Sequence, residues 1–243
     1  MPETKSDIIT RLRRDILPLQ TLKAVLNSTD LDIKLGPLKP AFHNGTFPLG
    51  AVHEFICTSA EDAATTNGFI AAILSSLMKG EGISIWIGAK GTVFPPALKS
   101  FGIAPDKIIF IDLQKEKEIM WAMEEALKCD GLAAVIGEMK ELSFTNSRRL
   151  QLAVEKSHVT GFILRHNHRN LNTTACVTRW KITSLPSEFT DNMPGVGFPR
   201  WNVELLKVRN GKPGSWQIEF MAGRFRHVHK MASIAPLQKK KTG

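Results

Sequence analysis

The feature that most constrains this chain is an alternation of two hydrophobic periods between residues 51 and 164. Short apolar runs rich in β-branched residues recur at 51–57 (AVHEFIC), 83–87 (ISIWI), 107–113 (KIIFIDL), 132–136 (LAAVI) and 160–164 (TGFIL). Helical stretches separate them, at about 65–78, from 96 to 101, at 116–128 and at 147–157. Strands that are continuously apolar and joined through helices pair in parallel, because only a crossover connection returns the chain to the same end of the sheet. The pattern therefore predicts an α/β fold: a mainly parallel sheet flanked by helices. The later runs at 176–182, 201–208 and 216–221 have short connections, so an antiparallel β extension is expected toward the C-terminus. Asn210-Gly211-Lys212-Pro213-Gly214 is a hairpin turn between the last two runs.

The rest of the chain divides around that core. Residues 1–24 hold an amphipathic helix at 6–17. Ser6 is placed to cap it, and Ile8, Ile9, Leu12 and Ile16 share one face until Pro18 ends the helix. Residues 25–50, rich in Pro and Gly, read as an extended lead-in. The α/β domain runs over 51–230, and the basic segment 231–243, ending in QKKKTG, reads as a disordered tail. At 243 residues the length suits one such domain. No apolar run is long enough for a membrane span, and no secretion signal core is present, so a cytoplasmic location is expected. Cys57, Cys129 and Cys176 form no CxxC pair and are expected to stay reduced.

Charge is divided unevenly. Residues 1–143 carry 15 Lys/Arg against 18 Asp/Glu, whereas residues 144–243 carry 17 against 5. A basic half on a near-neutral body is the electrostatic footprint expected for a nucleic-acid or acidic-protein partner.

In a doubly wound sheet the turn after the first strand is where phosphate binds, through a glycine-rich loop with a lysine and a hydroxyl residue. Here that stretch is Cys57-Thr-Ser-Ala-Glu-Asp62-Ala63-Ala64. In the best register Cys57 and Asp62 stand where the two glycines belong, Ala63 where the lysine belongs and Ala64 where the hydroxyl residue belongs. Nothing there neutralises a triphosphate, and Glu61 and Asp62 repel one. The loop is degenerate, no nucleotide or other cofactor is expected, and no catalytic residue is assigned.

Beyond these residues the chain resembles the ImuA family of RecA-related proteins. The resemblance is carried by GAVHEF, EEALKCDGLAAVIGE, SRRLQLAVE, TRWKI and WNVELLKVRNGKPGSWQIEF, in that order over roughly residues 42–222. It implies a RecA-like accessory role in SOS-induced translesion synthesis and mutagenesis, with nucleoid association on DNA damage. The implied partners are ImuB (a catalytically inactive Y-family polymerase), RecA and an error-prone DnaE-type polymerase, together with single-stranded DNA. By the same resemblance, Lys90 falls near the position of the RecA catalytic glutamate and Glu138 near the end of the strand that carries the Walker B carboxylate. A charged lysine is no water-activating base, and Glu138 has no phosphate cradle to serve. Two alternatives stay open: an ATP-dependent recombinase relative with a rearranged site, and a division inhibitor resembling SulA.

Several surface candidates follow. Arg165, His166, His168 and Arg169 lie after the strand at 160–164, on the ligand side of such a sheet, and are candidates for DNA contact. Leu12, Ile16, Arg148, Arg149 and Trp216 are candidates for partner contact, the arginines because they open a helix against its dipole. Core packing is expected for Trp180 and Trp201. The pairs His166/His168 and His227/His229 have zinc-like spacing but no further ligand near in sequence, so no metal is assigned.

Overall fold

A computed structural model of the chain describes residues 33–78, 82–89, 92–166, 171–187 and 197–228. The amphipathic helix with Leu12 and Ile16, together with Lys90, His168, Arg169, His229 and the basic tail, lies outside the described residues.

Nine strands form one sheet. They are β1 (Val52–Cys57), β2 (Ile83–Gly88), β3 (Ile108–Asp112), β4 (Leu132–Met139), β5 (Thr160–His166), β6 (Thr178–Leu185), β7 (Arg200–Val208), β8 (Gly214–Met221) and β9 (Arg224–His227). Their order is β3-β2-β4-β5-β1-β6-β7-β8-β9. The first six strands are parallel throughout, and β6 to β9 continue as an antiparallel ribbon. The fold is thus the α/β, RecA-like arrangement read from the sequence, with its antiparallel extension.

Three α-helices cover the parallel part: α1 (Ala60–Leu77), α2 (Glu116–Leu127) and α3 (Phe144–Ser157). Ile119, Met123, Ala126 and Leu127 repeat at helical spacing and are the buried stripe of α2. Together with Leu150, Ala153 and Val154 of α3 they pack on Val52, Val135 and Ile163, one face of the sheet. α1 covers the opposite face, where Phe55, Phe69, Trp180, Trp201 and Phe225 join a run of aromatic contacts with centroids 5.3–6.2 Å apart. Among the described residues no helix is long and apolar enough to cross a membrane.

Three local expectations change. The lead-in expected to be a linker is core from Ile33 onward: Ile33, Leu35, Leu38, Ala41, Phe42 and Phe47 are buried against the aromatic cluster. Short 3-10 turns let this Pro-rich stretch bury alternate residues, and backbone bonds tie it to the extension (Lys212 N–H to Ala41 C=O, 2.9 Å). Gly36, at φ +51°, passes so close to Phe225 that a β-carbon would sit 2.1 Å from its carbonyl oxygen. Secondly, α1 and α3 start at Ala60 and Phe144, earlier than expected, because Ser59 and Ser143 cap them by accepting bonds from Asp62 N–H and Asn146 N–H. Thirdly, β9 was not expected. It follows Ala222 and Gly223, both at positive φ (52° and 71°), which closes a tight hairpin without the usual Asn-Gly signal.

Candidate functional site

Two shells of polar groups gather at the C-terminal ends of β1, β4 and β5, where parallel sheets bind ligands. On the α1 side, β1 passes into the helix through only Thr58 and Ser59. Asp62, Ala63 and Ala64, read as loop residues in the sequence register, belong to the first two turns of α1. Ser59 Oγ accepts from Asp62 N–H at 3.0 Å, and the Asp62 carboxylate reaches back to accept from Thr58 N–H at 3.1 Å and from the Thr58 hydroxyl. This is a reciprocal cap, in which the chain's own oxygens occupy donors at the helix start. A phosphate would meet no glycine cradle there and would face the Asp62 carboxylate, which already offsets the helix dipole.

Cys57 ends β1 beneath this cap, and its thiol donates to Thr66 Oγ1 at 3.6 Å. Burial, reinforced by the Asp62 and Glu138 charges, pushes it up to about 11, so it is held as an unreactive thiol.

Glu138, at the end of β4, is buried and saturated. Its Oε1 accepts from Trp86 Nε1–H at 2.7 Å and from the Thr92 hydroxyl at 2.8 Å, and its Oε2 lies 3.3 Å from His166 Nε2. Gly88 of β2 leaves the room for it, since a β-carbon there would come within 2.8 Å of the Glu138 carboxyl carbon. Gly88→Ala is therefore expected to destabilise the fold by about 1–3 kcal/mol, the usual cost of overpacking a filled site. Urea unfolding of the two proteins measures it; an unchanged midpoint would show that Glu138 can move aside freely.

The second shell lies on the α2/α3 side. Glu54, fully buried in the central strand, accepts from Arg165 Nη1–H, from the Thr174 hydroxyl and from Arg179 Nε–H, each at 2.8 Å. Arg165 is itself fully buried and also donates to Asn172 Oδ1 at 3.1 Å. Its remaining Nε and Nη2 make no hydrogen bond, with Glu141 3.7 Å from Nη2. Arg165 thus faces inward, held by Glu54, rather than presented to a ligand at the surface.

His166 alternates to the other face and sits with Glu138, half-exposed. The structure therefore splits the two described members of the Arg165–Arg169 cluster between opposite sides of the sheet.

Arg148 and Arg149 lie in the second turn of α3 rather than at its start, and both pair with carboxylates: Arg148 with Glu155 at 3.6 Å, Arg149 with Glu124 of α2. Trp216 is half-buried on β8 opposite Val203, its indole lying over Gly214 and against the aromatic core. Trp180 and Trp201 are buried, as expected. Among the described residues no group of three or more His, Cys, Asp or Glu is placed to hold a metal ion.

Sequence reasoning passed over Glu54 and Arg179. The signal was present in AVHEFIC, where a charged residue and a histidine stand inside a run otherwise apolar enough for the sheet centre. Such residues need buried partners, and the partners lie 111 and 125 positions away.

No family model matches the chain. A curated relative does: over 207 residues the chain is 31% identical to Protein ImuA of Caulobacter vibrioides strain NA1000 / CB15N, a match covering 79% of this chain and 84% of that protein. The chain belongs to the ImuA family. Protein ImuA of a second Caulobacter vibrioides strain, ATCC 19089 / CIP 103742 / CB 15, matches to the same extent. Within this ImuA family member the capped β1–α1 junction and the hydrogen-bonded Glu138 lie at the C-terminal ends of β1 and β4, the side on which parallel sheets bind ligands.

Proposed function

We propose that this chain is a non-catalytic, RecA-like accessory factor in SOS-induced, error-prone translesion synthesis, and that it works by binding. The observation that carries the absence of catalysis is the two-residue β1–α1 junction. Ser59 takes the Asp62 N–H of the helix start, the Asp62 carboxylate takes the Thr58 N–H just before the cap, and no glycine loop or lysine stands there to receive a triphosphate. Membership of the ImuA family supports the pathway. The partners that follow from it are the inactive polymerase ImuB, RecA and an error-prone DnaE-type polymerase. A RecA-like surface without ATP chemistry is suited to capping or breaking a RecA filament.

The test is binding and hydrolysis of ATP by the purified chain, with and without magnesium and single-stranded DNA. No saturable binding at millimolar nucleotide is the expected result. Magnesium-dependent binding with turnover would replace this reading by that of an active recombinase relative.

A further inference from the structure

Among the described residues α2 and α3 cover β1, β2, β4 and β5, and neither packs extensively on the antiparallel ribbon β6–β9. Register defines what this open face displays. Arg179 lies beside Lys207, Lys181 beside Glu204, Thr183 beside Asn202, and Leu185, Arg200, Glu219 and Arg226 form one row across four strands, with Arg224 beside Met221. Six cations and two carboxylates therefore share the face. Glu219 is matched to Arg200 at 3.4 Å, and Arg179 is engaged by the buried Glu54 beneath it. Lys207 donates to Thr174 C=O, which keeps its ammonium at the rim of the same surface. Lys181, Arg224 and Arg226 make no side-chain hydrogen bond or ion pair among the described residues, and both arginines are exposed.

The alternation that makes this face basic also strips it of aromatic rings. Trp180, Trp201, Trp216, Phe220 and Phe225 all point to the opposite, α1 side of the sheet. A protein-binding surface draws its energy from buried aromatic and aliphatic anchors at its centre. Among the described residues this face offers Leu185, Leu206 and Met221, on three separate strands and in a field of cations. Charge neutralisation is what it can supply, and the ligand it complements is a phosphodiester backbone. The free cations are spread in two dimensions, over strands about 4.8 Å apart, rather than along one line. A flexible strand can follow that spread, whereas a rigid duplex touches a flat face along its convex side only.

We infer that the open face of the β6–β9 ribbon, through Lys181, Arg224 and Arg226, is a sequence-independent binding surface for single-stranded nucleic acid. It lies apart from the end of β5, and the inference does not rest on the adaptor reading: a chain that binds no strand could still serve as an adaptor.

The test uses the full chain and fluorescein-labelled 30-nucleotide oligo(dT), titrated by anisotropy between 50 and 200 mM NaCl. The wild type is expected to bind with affinity falling steeply with salt, by about 0.7 in log–log slope per phosphate neutralised. A Lys181→Ser/Arg224→Ser/Arg226→Ser variant is expected to bind at least tenfold more weakly at 50 mM NaCl, with a slope shallower by about two. Removing the same charge from α2 and its two caps, as Lys115→Ser/Lys117→Ser/Lys128→Ser, should leave binding within about twofold. If the ribbon triple misfolds by circular dichroism, Arg226→Gln alone carries the comparison, with a slope change of about 0.7. Three results would overturn the inference: unchanged binding in the ribbon variant, equal loss in the α2 variant, or oligo-glutamate displacing oligo(dT) at lower concentration than unlabelled oligo(dT) does.

Discussion

Glu54→Ala is expected to destabilise the protein by about 3–5 kcal/mol, a large share of the roughly 5–15 kcal/mol that holds an ordinary domain folded. The reason lies in the count of charges around it. Among the described residues Glu54 is the only carboxylate hydrogen-bonded to Arg165, whose side chain is fully buried, and it holds Arg179 as well. Without it Arg165 retains one amide partner, Asn172, and a distant carboxylate, Glu141. A guanidinium cannot escape by losing its proton, so its desolvation goes uncompensated. The double variant Glu54→Leu/Arg165→Met removes both buried charges and is expected to recover most of the loss. Chemical denaturation of the wild type and both variants measures this. If the single variant unfolds at the wild-type midpoint, the buried pair contributes nothing.

A second large effect concerns pH. His53, next to Glu54 in the central strand, is sealed between Phe47 and Phe162, with centroids at 4.4 and 5.6 Å. Its ring nitrogens lie 2.7 Å from Thr178 Oγ1 and 2.8 Å from Pro48 C=O. Trp180 Nε1–H donates to the same Thr178 hydroxyl at 2.7 Å. The pattern closes for one neutral tautomer, with Nε2–H donating to Pro48 and Nδ1 accepting from Thr178. Burial lowers the His53 pKa from 6.5 to about 3. Between those values the unfolded chain binds a proton that the folded chain refuses, so stability is full above pH 6.5 and falls as pH drops toward 3. The slope is about 1.4 kcal/mol per pH unit, and about 4–5 kcal/mol is lost across the window. The difference in unfolding free energy between wild type and His53→Phe, measured from pH 7 to 4, should narrow by that slope. A constant difference would mean that His53 titrates normally in the folded state.

These two residues show where the sequence was legible and where it was not. Five of the six parallel strands and the three α-helices follow from hydrophobic period, because each must bury a face or a stripe of fixed spacing, whereas the helix expected at 96–101 is a 3-10 turn, Pro95–Phe101. The residue types after β1 were legible, whereas the place of Asp62, Ala63 and Ala64 in a capped helix rather than a loop was not. Helix starts were displaced because Ser59-x-x-Asp62 and Ser143-x-x-Asn146 cap earlier than the first apolar repeat suggests. The 33–50 stretch reads as linker by composition, yet its prolines and glycines let it lie flat across the core.

What the sequence by itself determined is the alternation of elements, hence the parallel sheet with its antiparallel extension. Period and residue type are local properties, and they survive without knowledge of what lies opposite. Only the tertiary structure decided that Arg165 turns inward to Glu54 while its neighbour His166 turns to Glu138, and that Lys181, Arg224 and Arg226 share one face of the β6–β9 ribbon. Those outcomes depend on register between strands far apart in the chain, where a shift of one residue would exchange the two faces.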